Sequence, residues 1–299
     1  MRKVLVTGAS GFIGSHLMKH ASENLRFRCL VRAPSLKKIT PSPFIEIIEG
    51  DLLSEEALKL AMQGVDTVLH MGALIRLSRP EEIYRVNVEG TRRIVAEATK
   101  QKIPRFIFIS TENALREDLS DAYADSKREA EAVVRTFKHS LILRPCFVFG
   151  SGDGHGLGRL VDLFGRLPVV PLFGGLESKI QPLYIEDMLQ YLLKAIEKNL
   201  QGEYILAGPE TVSMNDFLKE ACRLRGKKAP YFEFPRFLYA LLARICDHLP
   251  RSIGWGTSQF DNIYKSRTYS IEKTVRDFDY TPRPLHEGLM SWLSADKSL

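Results

Sequence analysis

The first half of the chain alternates short apolar runs with longer segments in which apolar residues recur at three- or four-residue spacing. KVLVT, RFRCLV, DTVLH and RFIFIS are short runs of this kind, and SEEALKLAMQ is one of the longer segments. Short apolar runs are typical of buried strands, and the longer spacing is typical of helices. Because the two patterns take turns, we predict a doubly wound α/β fold with a parallel sheet and six strands before about residue 144.

The regular alternation stops after Gly150, where SGDGHGLG and frequent prolines mark a second region. The pattern then returns, since QPLYIEDMLQYLLKAIEKN predicts a helix and EYILAG predicts one more buried strand. We therefore predict one domain over residues 1–150, its sheet completed by about 181–208. A smaller, partly interleaved substrate-binding region is predicted over 151–180 and 209–299.

Composition narrows the class of protein. The net charge of +6 is spread along the 299 residues rather than gathered in runs, which argues against nucleic-acid binding and is consistent with a phosphate-bearing ligand. The four cysteines form no CxxC pair and predict neither a disulfide framework nor a zinc site. The amino terminus runs directly into a strand pattern, and no apolar stretch is long enough to span a membrane. We expect a cytoplasmic protein with reduced thiols and no metal.

A glycine-rich turn joins the first strand to the first helix in VLVTGASGFIGSHL. Gly8, Gly11 and Gly14 permit a tight turn, a close approach of backbone to a pyrophosphate, and close helix-to-strand packing. The helix amino terminus adds free N–H groups and a positive dipole end. The motif predicts a Rossmann-type dinucleotide site; the alternative is an ordinary glycine-rich turn.

The end of the second strand bears on the choice of dinucleotide. An acidic residue there would bind a free ribose 2′-hydroxyl, but the strand ends in Val31 and Arg32. The guanidinium of Arg32 suits a 2′-phosphate, which favours NADP over NAD, although a solvated loop arginine would look the same. Asp51, after the third strand, either accepts from the adenine amino group or begins the next helix as a cap.

The stretch AYADSK places Tyr123 and Lys127 one helical turn apart on the same face. A free tyrosine has a pKa of about 10 and is a weak base near neutrality. A nearby ammonium favours the phenolate, so Tyr123 could exchange a proton with a substrate oxygen. A surface Tyr/Lys pair is the alternative, and the glycine turn upstream favours the chemical interpretation.

The motifs together resemble a known family. TGASGFIG, EGDL, NVEGT, YADSK, LRPCFVFG and QPLYIEDM occur in the order and approximate spacing typical of the extended short-chain dehydrogenases/reductases, the NAD(P)-dependent epimerases and dehydratases. Within that family the chain looks most like the atypical branch that contains the nucleotide-binding accessory subunit of respiratory complex I. The resemblance implies hydride transfer between a nicotinamide and a secondary alcohol or ketone.

The same resemblance assigns expected roles. It implies that Lys127 also binds the nicotinamide ribose and that a hydroxyl after the fifth strand, Thr111 first and Ser110 second, polarises the substrate oxygen. Either hydroxyl could instead satisfy local backbone. Asn87 would organise backbone and water near the active site, or be a plain helix-surface amide. The remaining residues expected at the cofactor are Ser10, Phe12, Ile13, Leu52, Gly72, Ala73 and Pro145.

The substrate side carries less information. In PRFLYALLARICDHLP an apolar stripe could cover an apolar pocket, rest on a membrane surface or pack against its own domain. The cations available for a sugar diphosphate have no compelling local motif; they are Arg159, Arg166, Lys179 and Arg267.

Two functions are consistent with the sequence. The first is an NAD(P)-dependent oxidoreductase or epimerase acting on a small molecule, such as a nucleotide sugar or an apolar alcohol. The second is an assembly or sensor protein that holds NADP(H) without turnover, suggested by the short segment ENALREDLSDA before Tyr123. Helices over 81–102 and 122–138 are candidates for pairing across a homodimer.

Overall fold

The computed structural model describes residues 2–75, 79–116, 121–153, 157–174, 178–226, 230–247, 265–266 and 268–296. Contacts divide the chain into two compact units. The first comprises Met1–Arg144 and Leu189–Tyr204, and the second comprises Pro145–Met188 and Ile205–Leu299.

A seven-stranded sheet forms the centre of the fold, in the order β11, β6, β5, β4, β1, β2, β3. The pairs β1/β2, β2/β3, β1/β4, β4/β5 and β5/β6 are all parallel. The sheet strands are β1 Arg2–Thr7, β2 Leu25–Val31, β3 Ile45–Glu49, β4 Thr67–His70, β5 Arg105–Ile109, β6 Ser140–Pro145 and β11 Gly202–Leu206. This confirms the predicted α/β fold, its six early strands and the later strand in EYILAG.

The crossover helices follow from local sequence signals. Ser54 caps the helix Glu55–Ala61 by accepting from the Ala57 N–H, and Asp121 caps the helix Ala122–Val134 by accepting from the Tyr123 N–H. The segment predicted as one helix over 81–102 has a π-helical turn at Arg85–Glu89 between two α-helices. The helices of this part are α1 Phe12–Leu17, α2 Glu55–Ala61, α3 Pro80–Tyr84, α4 Gly90–Lys100 and α5 Ala122–Val134.

The core of the first unit lies between the sheet and the helices α2, α4 and α5. Leu5, Phe106 and Ile94 are among its fully buried members. Val4, Leu5 and Val6 of β1 are completely buried, as expected for parallel strands covered on both faces.

The second unit contains the remaining strands and helices. Phe149 packs against Tyr184, Phe217 and Trp292, with ring centroids 5.5, 5.4 and 5.9 Å away. Its strands are β7 Val148–Phe149, β8 Val170–Phe173, β9 Lys179–Ile180, β10 Leu183–Tyr184, β12 Val212–Ser213 and β13 Tyr231–Phe234. Its helices are α6 Leu157–Arg166, α7 Ile185–Glu197 (which continues into the first unit), α8 Met214–Leu224, α9 Arg236–Asp247, α10 Glu272–Phe278 and α11 Leu285–Asp296.

Residues 236–247 of PRFLYALLARICDHLP form helix α9, and some of its apolar side chains are exposed. Phe237 and Leu241, one turn apart, are 68% and 54% exposed, and Phe232 of β13 is 53% exposed. In the described part of the chain, no helix combines the length and the apolar character that crossing a membrane requires.

Candidate active site

The glycine turn lies where β1 has β2 on one side and β4 on the other, the point at which the strand order reverses. In open parallel sheets, ligands bind beyond the carboxyl ends of the strands at such a point. Gly8 has φ +78°, and a Cβ there would come within 2.8 Å of the Gly72 nitrogen. A Cβ on Gly14 would come within 2.2 Å of the Gly8 carbonyl oxygen. Glycine is therefore required at both positions for the turn to pack as it does.

This turn fits a dinucleotide pyrophosphate. Gly11 precedes helix α1 and offers no side chain to cap it. The first N–H groups of a helix have no intrahelical partner, so those of Phe12 and Ile13 can donate to phosphate oxygens. Ser10 is half-buried in the same turn. The cradle therefore has the donors that a phosphate-bearing cofactor requires.

Tyr123 and Lys127 occupy the first two turns of α5. The Asp121 carboxylate accepts from the Tyr123 N–H at 2.9 Å, which fixes where the helix begins. Tyr123 is half-buried, whereas Lys127 is 2% exposed. The structure thus brings both side chains to the helix start that the sequence predicts.

The ammonium of Lys127 is held at the end of β5. Its Nζ donates to the Ile109 carbonyl at 2.5 Å and lies 3.9 Å from the centre of the Phe108 ring. Burial lowers the pKa of Lys127 to about 7, and the nearby Glu131 carboxylate opposes this change only in part. Near neutrality the group is therefore poised between its two charge states, which is a property of functional lysines.

The two candidate hydroxyls follow directly after Ile109. The Thr111 hydroxyl accepts from the Asn113 N–H at 3.3 Å and keeps its own proton for another acceptor. The Ser110 hydroxyl is buried and, among the described residues, has no hydrogen-bond partner. A buried polar group without a partner is rare and marks a place where a ligand or water can bind.

Asn87 lies in the π-helical turn and links two segments of the site. Its Oδ1 accepts from the Leu74 N–H at 2.7 Å, and its Nδ2 donates to the Leu74 carbonyl at 2.9 Å. The same Nδ2 lies 3.0 Å from the Ser126 Oγ, which donates to the Tyr123 carbonyl at 2.8 Å. Asn87 is buried, so the plain surface amide is excluded. It holds the loop after Gly72 and Ala73 against helix α5.

Arg32 and Asp51 follow the adjacent strands β2 and β3. Arg32 is exposed, and no described residue pairs with its guanidinium. The Asp51 carboxylate accepts from the Leu53 N–H at 2.8 Å, forming a turn, while Ser54 caps the following helix. Leu52 is buried in the core against Gly90.

Other predicted residues lie outside this arrangement. Pro145 ends β6 and belongs to the second unit, where the neighbouring Cys146 is buried. Arg267 lies outside the described residues, as do the side chains of Arg159 and Arg166. No group of three or more His, Cys, Asp or Glu side chains within the described ranges could hold a metal ion.

Sequence reasoning missed three polar residues of the first unit: Thr7, His70 and Ser126. Thr7 accepts from the Gly72 N–H at 3.0 Å, and His70 lies 2.6 Å from the Thr7 hydroxyl. A histidine at the end of a fully buried strand was a signal that a buried polar partner is required.

Comparison with known proteins agrees with the α/β fold. The profile of the NAD dependent epimerase/dehydratase family matches residues 4–208. A ceramide reductase of Caulobacter vibrioides is 37% identical over 236 residues, covering 78% of this chain and 73% of that protein. A 3 beta-hydroxysteroid dehydrogenase/Delta 5-->4-isomerase of Mycobacterium tuberculosis is 22% identical over 320 residues, covering 94% and 86%. The crystal structure of UDP-glucuronic acid 4-epimerase from Bacillus cereus with NAD covers 99% of both chains at 20% identity and a TM-score of 0.77.

Proposed function

The chain belongs to the NAD dependent epimerase/dehydratase family, and from this we propose that it interconverts a ketone and a secondary alcohol on a long-chain or polycyclic apolar molecule. The observation that carries the proposal is the joining of α5 to the end of β5. Through the bond from Lys127 to the Ile109 carbonyl, the helix with Tyr123 is tied to the strand that continues into Ser110 and Thr111.

Each group at the site has a separate role in the reaction. When bound, the dinucleotide supplies or accepts the hydride at its nicotinamide ring. In the direction of oxidation, Tyr123 removes the hydroxyl proton as the C–H bond gives up its hydride, and in reduction Tyr123 returns that proton. A protonated Lys127 stabilises the phenolate, and the Thr111 hydroxyl donates to the substrate oxygen.

Replacing Tyr123 by Phe tests this assignment. We expect Tyr123→Phe to lower kcat by at least about a hundredfold, since general acid–base catalysis contributes about 10² to 10⁴. Dinucleotide affinity should stay within about threefold, because the glycine turn is unchanged. Tyr84→Phe is a matched control, because it removes a phenol that lies near α5 but belongs to helix α3. Unchanged turnover in Tyr123→Phe would refute the role.

Two observations support an apolar substrate. The relatives described above include a ceramide reductase and a hydroxysteroid dehydrogenase, both named for apolar substrates. The second unit, in which the substrate region is predicted, exposes Phe232, Phe237 and Leu241. Turnover should be assayed with a ceramide ketone, a 3β-hydroxysteroid and a UDP-sugar; turnover of the UDP-sugar alone would overturn this choice.

We further propose that NADP is preferred over NAD. Arg32 is exposed at the end of β2, Lys37 and Lys38 follow it, and no acidic residue directly follows β2. A hydrogen bond to a charged group contributes about 1.5 to 3 kcal/mol, which is about tenfold or more in affinity. Calorimetric titration should show tighter binding of NADPH, and Arg32→Glu should reverse the order. A wild-type preference for NADH would contradict the proposal.

The alternative is an NADP(H)-binding assembly or sensor protein without turnover, as the resemblance to the complex I accessory-subunit branch suggests. Tightly held dinucleotide that never changes redox state with any of the three substrate types would support it. Cytoplasmic location and a homodimer through the helices over 81–102 and 122–138 are also proposals. Light scattering at several protein concentrations tests the dimer.

A further inference from the structure

A continuous line of buried hydrogen bonds runs through the first unit at the switch point of the sheet. His70 Nδ1 lies 2.6 Å from the Thr7 hydroxyl, and His70 Nε2 lies 3.0 Å from the Thr91 hydroxyl. Thr7 in turn accepts from the Gly72 N–H at 3.0 Å, and Thr91 donates to the Asn87 carbonyl at 2.5 Å. His70, Thr7 and Thr91 are each no more than 2% exposed.

The number of available protons fixes the state of the imidazole. A carbonyl oxygen can only accept, so the single Thr91 proton goes to Asn87 and Thr91 must accept from His70 Nε2–H. On the other side, Thr7 already accepts from the Gly72 N–H, which leaves its own proton for His70 Nδ1. Every donor then meets an acceptor when His70 is neutral and carries its proton on Nε2.

A charged imidazole would disrupt this arrangement. Burial lowers the pKa of His70 to about 3, and the positive charge of Lys127 acts in the same direction. Two aromatic side chains pack against the ring, with the Phe108 and Phe106 ring centroids 5.4 and 6.2 Å away. Since Lys127 Nζ lies over the same Phe108 ring, a cationic His70 would add a second charge beside the ammonium.

We propose that His70 is a positioning residue: as the neutral Nε2–H tautomer, it fixes the position of the dinucleotide-binding turn relative to the helix that carries Tyr123. At one end of this series of hydrogen bonds, the Gly72 backbone is fixed to Thr7, the residue before Gly8. The other end fixes the Asn87 backbone through Thr91. The Asn87 side chain then holds Leu74 and reaches the Tyr123 carbonyl through Ser126.

This role predicts a specific pattern of kinetic effects. Removing the acceptor of His70 Nε2–H in Thr91→Val leaves a buried donor without a partner and frees the Asn87 carbonyl. We expect kcat/KM to fall about tenfold to a hundredfold, with weaker dinucleotide binding, while Thr91→Ser restores both values. Thr99→Val is the matched control, since Thr99 makes the same kind of bond to the Val95 carbonyl on the exposed side of α4. It should leave kinetics and affinity unchanged.

The decisive measurement is the tautomer, because it needs neither a substrate nor turnover. Protein labelled with ¹⁵N-histidine, with the His70 signals assigned by loss in His70→Gln, should show by long-range ¹H–¹⁵N correlation a neutral ring with the proton on Nε2 from pH 5 to pH 8. A proton on Nδ1, or titration of His70 in that range, would overturn the proposal. So would Thr91→Val with normal dinucleotide affinity.

Only the expected change in kcat/KM rests on the proposed function. If the wild type shows no turnover with any substrate, the proposed function fails, while the tautomer and the dinucleotide affinities still decide the role of His70. If Thr91→Val does not fold, the spectrum of the wild type decides alone.

Discussion

Burial of the Lys127 ammonium should make the stability of this protein depend on pH in a specific direction. The pKa of Lys127 falls from its ordinary 10.5 to about 7 in the folded chain. Between these values the unfolded chain binds more protons than the folded chain, so the free energy of unfolding rises with pH. Below pH 7 both states hold the proton, and the full penalty for burying the charge remains.

The magnitude follows from the same two values. A tenfold change in proton affinity corresponds to about 1.4 kcal/mol, so the fully charged Lys127 costs about 5 kcal/mol at most. Between pH 6 and pH 9.5, linkage then predicts a gain of about 3 kcal/mol for the wild type relative to a variant without the ammonium. Lys127→Met is suitable because Met has a similar length and packs well in cores.

Urea denaturation at half-unit steps from pH 6 to pH 9.5 measures this difference. Other titrating groups affect both proteins and cancel in the comparison, and the lost bond to the Ile109 carbonyl enters mainly as a constant offset. Lys100→Met is the matched control, because the Lys100 side chain is 74% exposed, and its difference from wild type should stay flat. Parallel curves for wild type and Lys127→Met would refute the argument that burial controls this lysine.

Two further changes test the packing around the site. Gly14→Ala would force the glycine turn apart, since its Cβ would come within 2.2 Å of a carbonyl oxygen, and we expect calorimetry to show at least a tenfold loss of dinucleotide affinity. Gly11→Ala, where the nearest atom is 3.3 Å away, should lower the affinity less, and the reverse order would contradict the proposed pyrophosphate cradle. Arg144→Met would remove the guanidinium whose Nε and Nη2 donate to the buried Glu131 carboxylate at 2.7 and 2.5 Å, and would leave that carboxylate only its bond from Arg135. The variant should lower the free energy of unfolding by about 3 kcal/mol, the lower end of the range for a broken buried pair. Adding Glu131→Gln should recover part of that loss in urea denaturation, and a single variant within about 1 kcal/mol of wild type would argue against the pair.

The predictable parts of this molecule are those that depend on local sequence. Strand and helix periods identify the α/β fold, and the strand in EYILAG is correctly assigned to the sheet because its apolar run resembles the earlier ones. The glycine turn and the Tyr123/Lys127 spacing are equally local. Each is a short pattern whose meaning depends on the element that carries it.

What sequence reasoning misses depends on contacts between distant residues. Thr7 and His70 are 63 positions apart and meet because β1 pairs with β4, a strand order that no periodicity encodes. The π-helical turn that places Asn87 is hidden in an ordinary helical pattern. The spacing of Lys127 does not show how deeply the side chain is buried, and its lowered pKa comes from burial by neighbours that are remote in sequence.

The anchoring of α5 bears on whether the short segment before Tyr123 prevents turnover. Ser126 is bonded to Asn87 and Lys127 to Ile109. One turn further on, Glu131 is bonded to Arg144. None of these six residues lies in ENALREDLSDA, so the second and third turns of the helix are held by the sheet and the π-helical turn, whereas Asp121 of that segment caps the first turn. A catalytic side chain on a rigid, supported element does not depend on the length of the loop that precedes it. The short segment is therefore a weak argument for a protein without turnover, and the contacts of α5 favour an active enzyme.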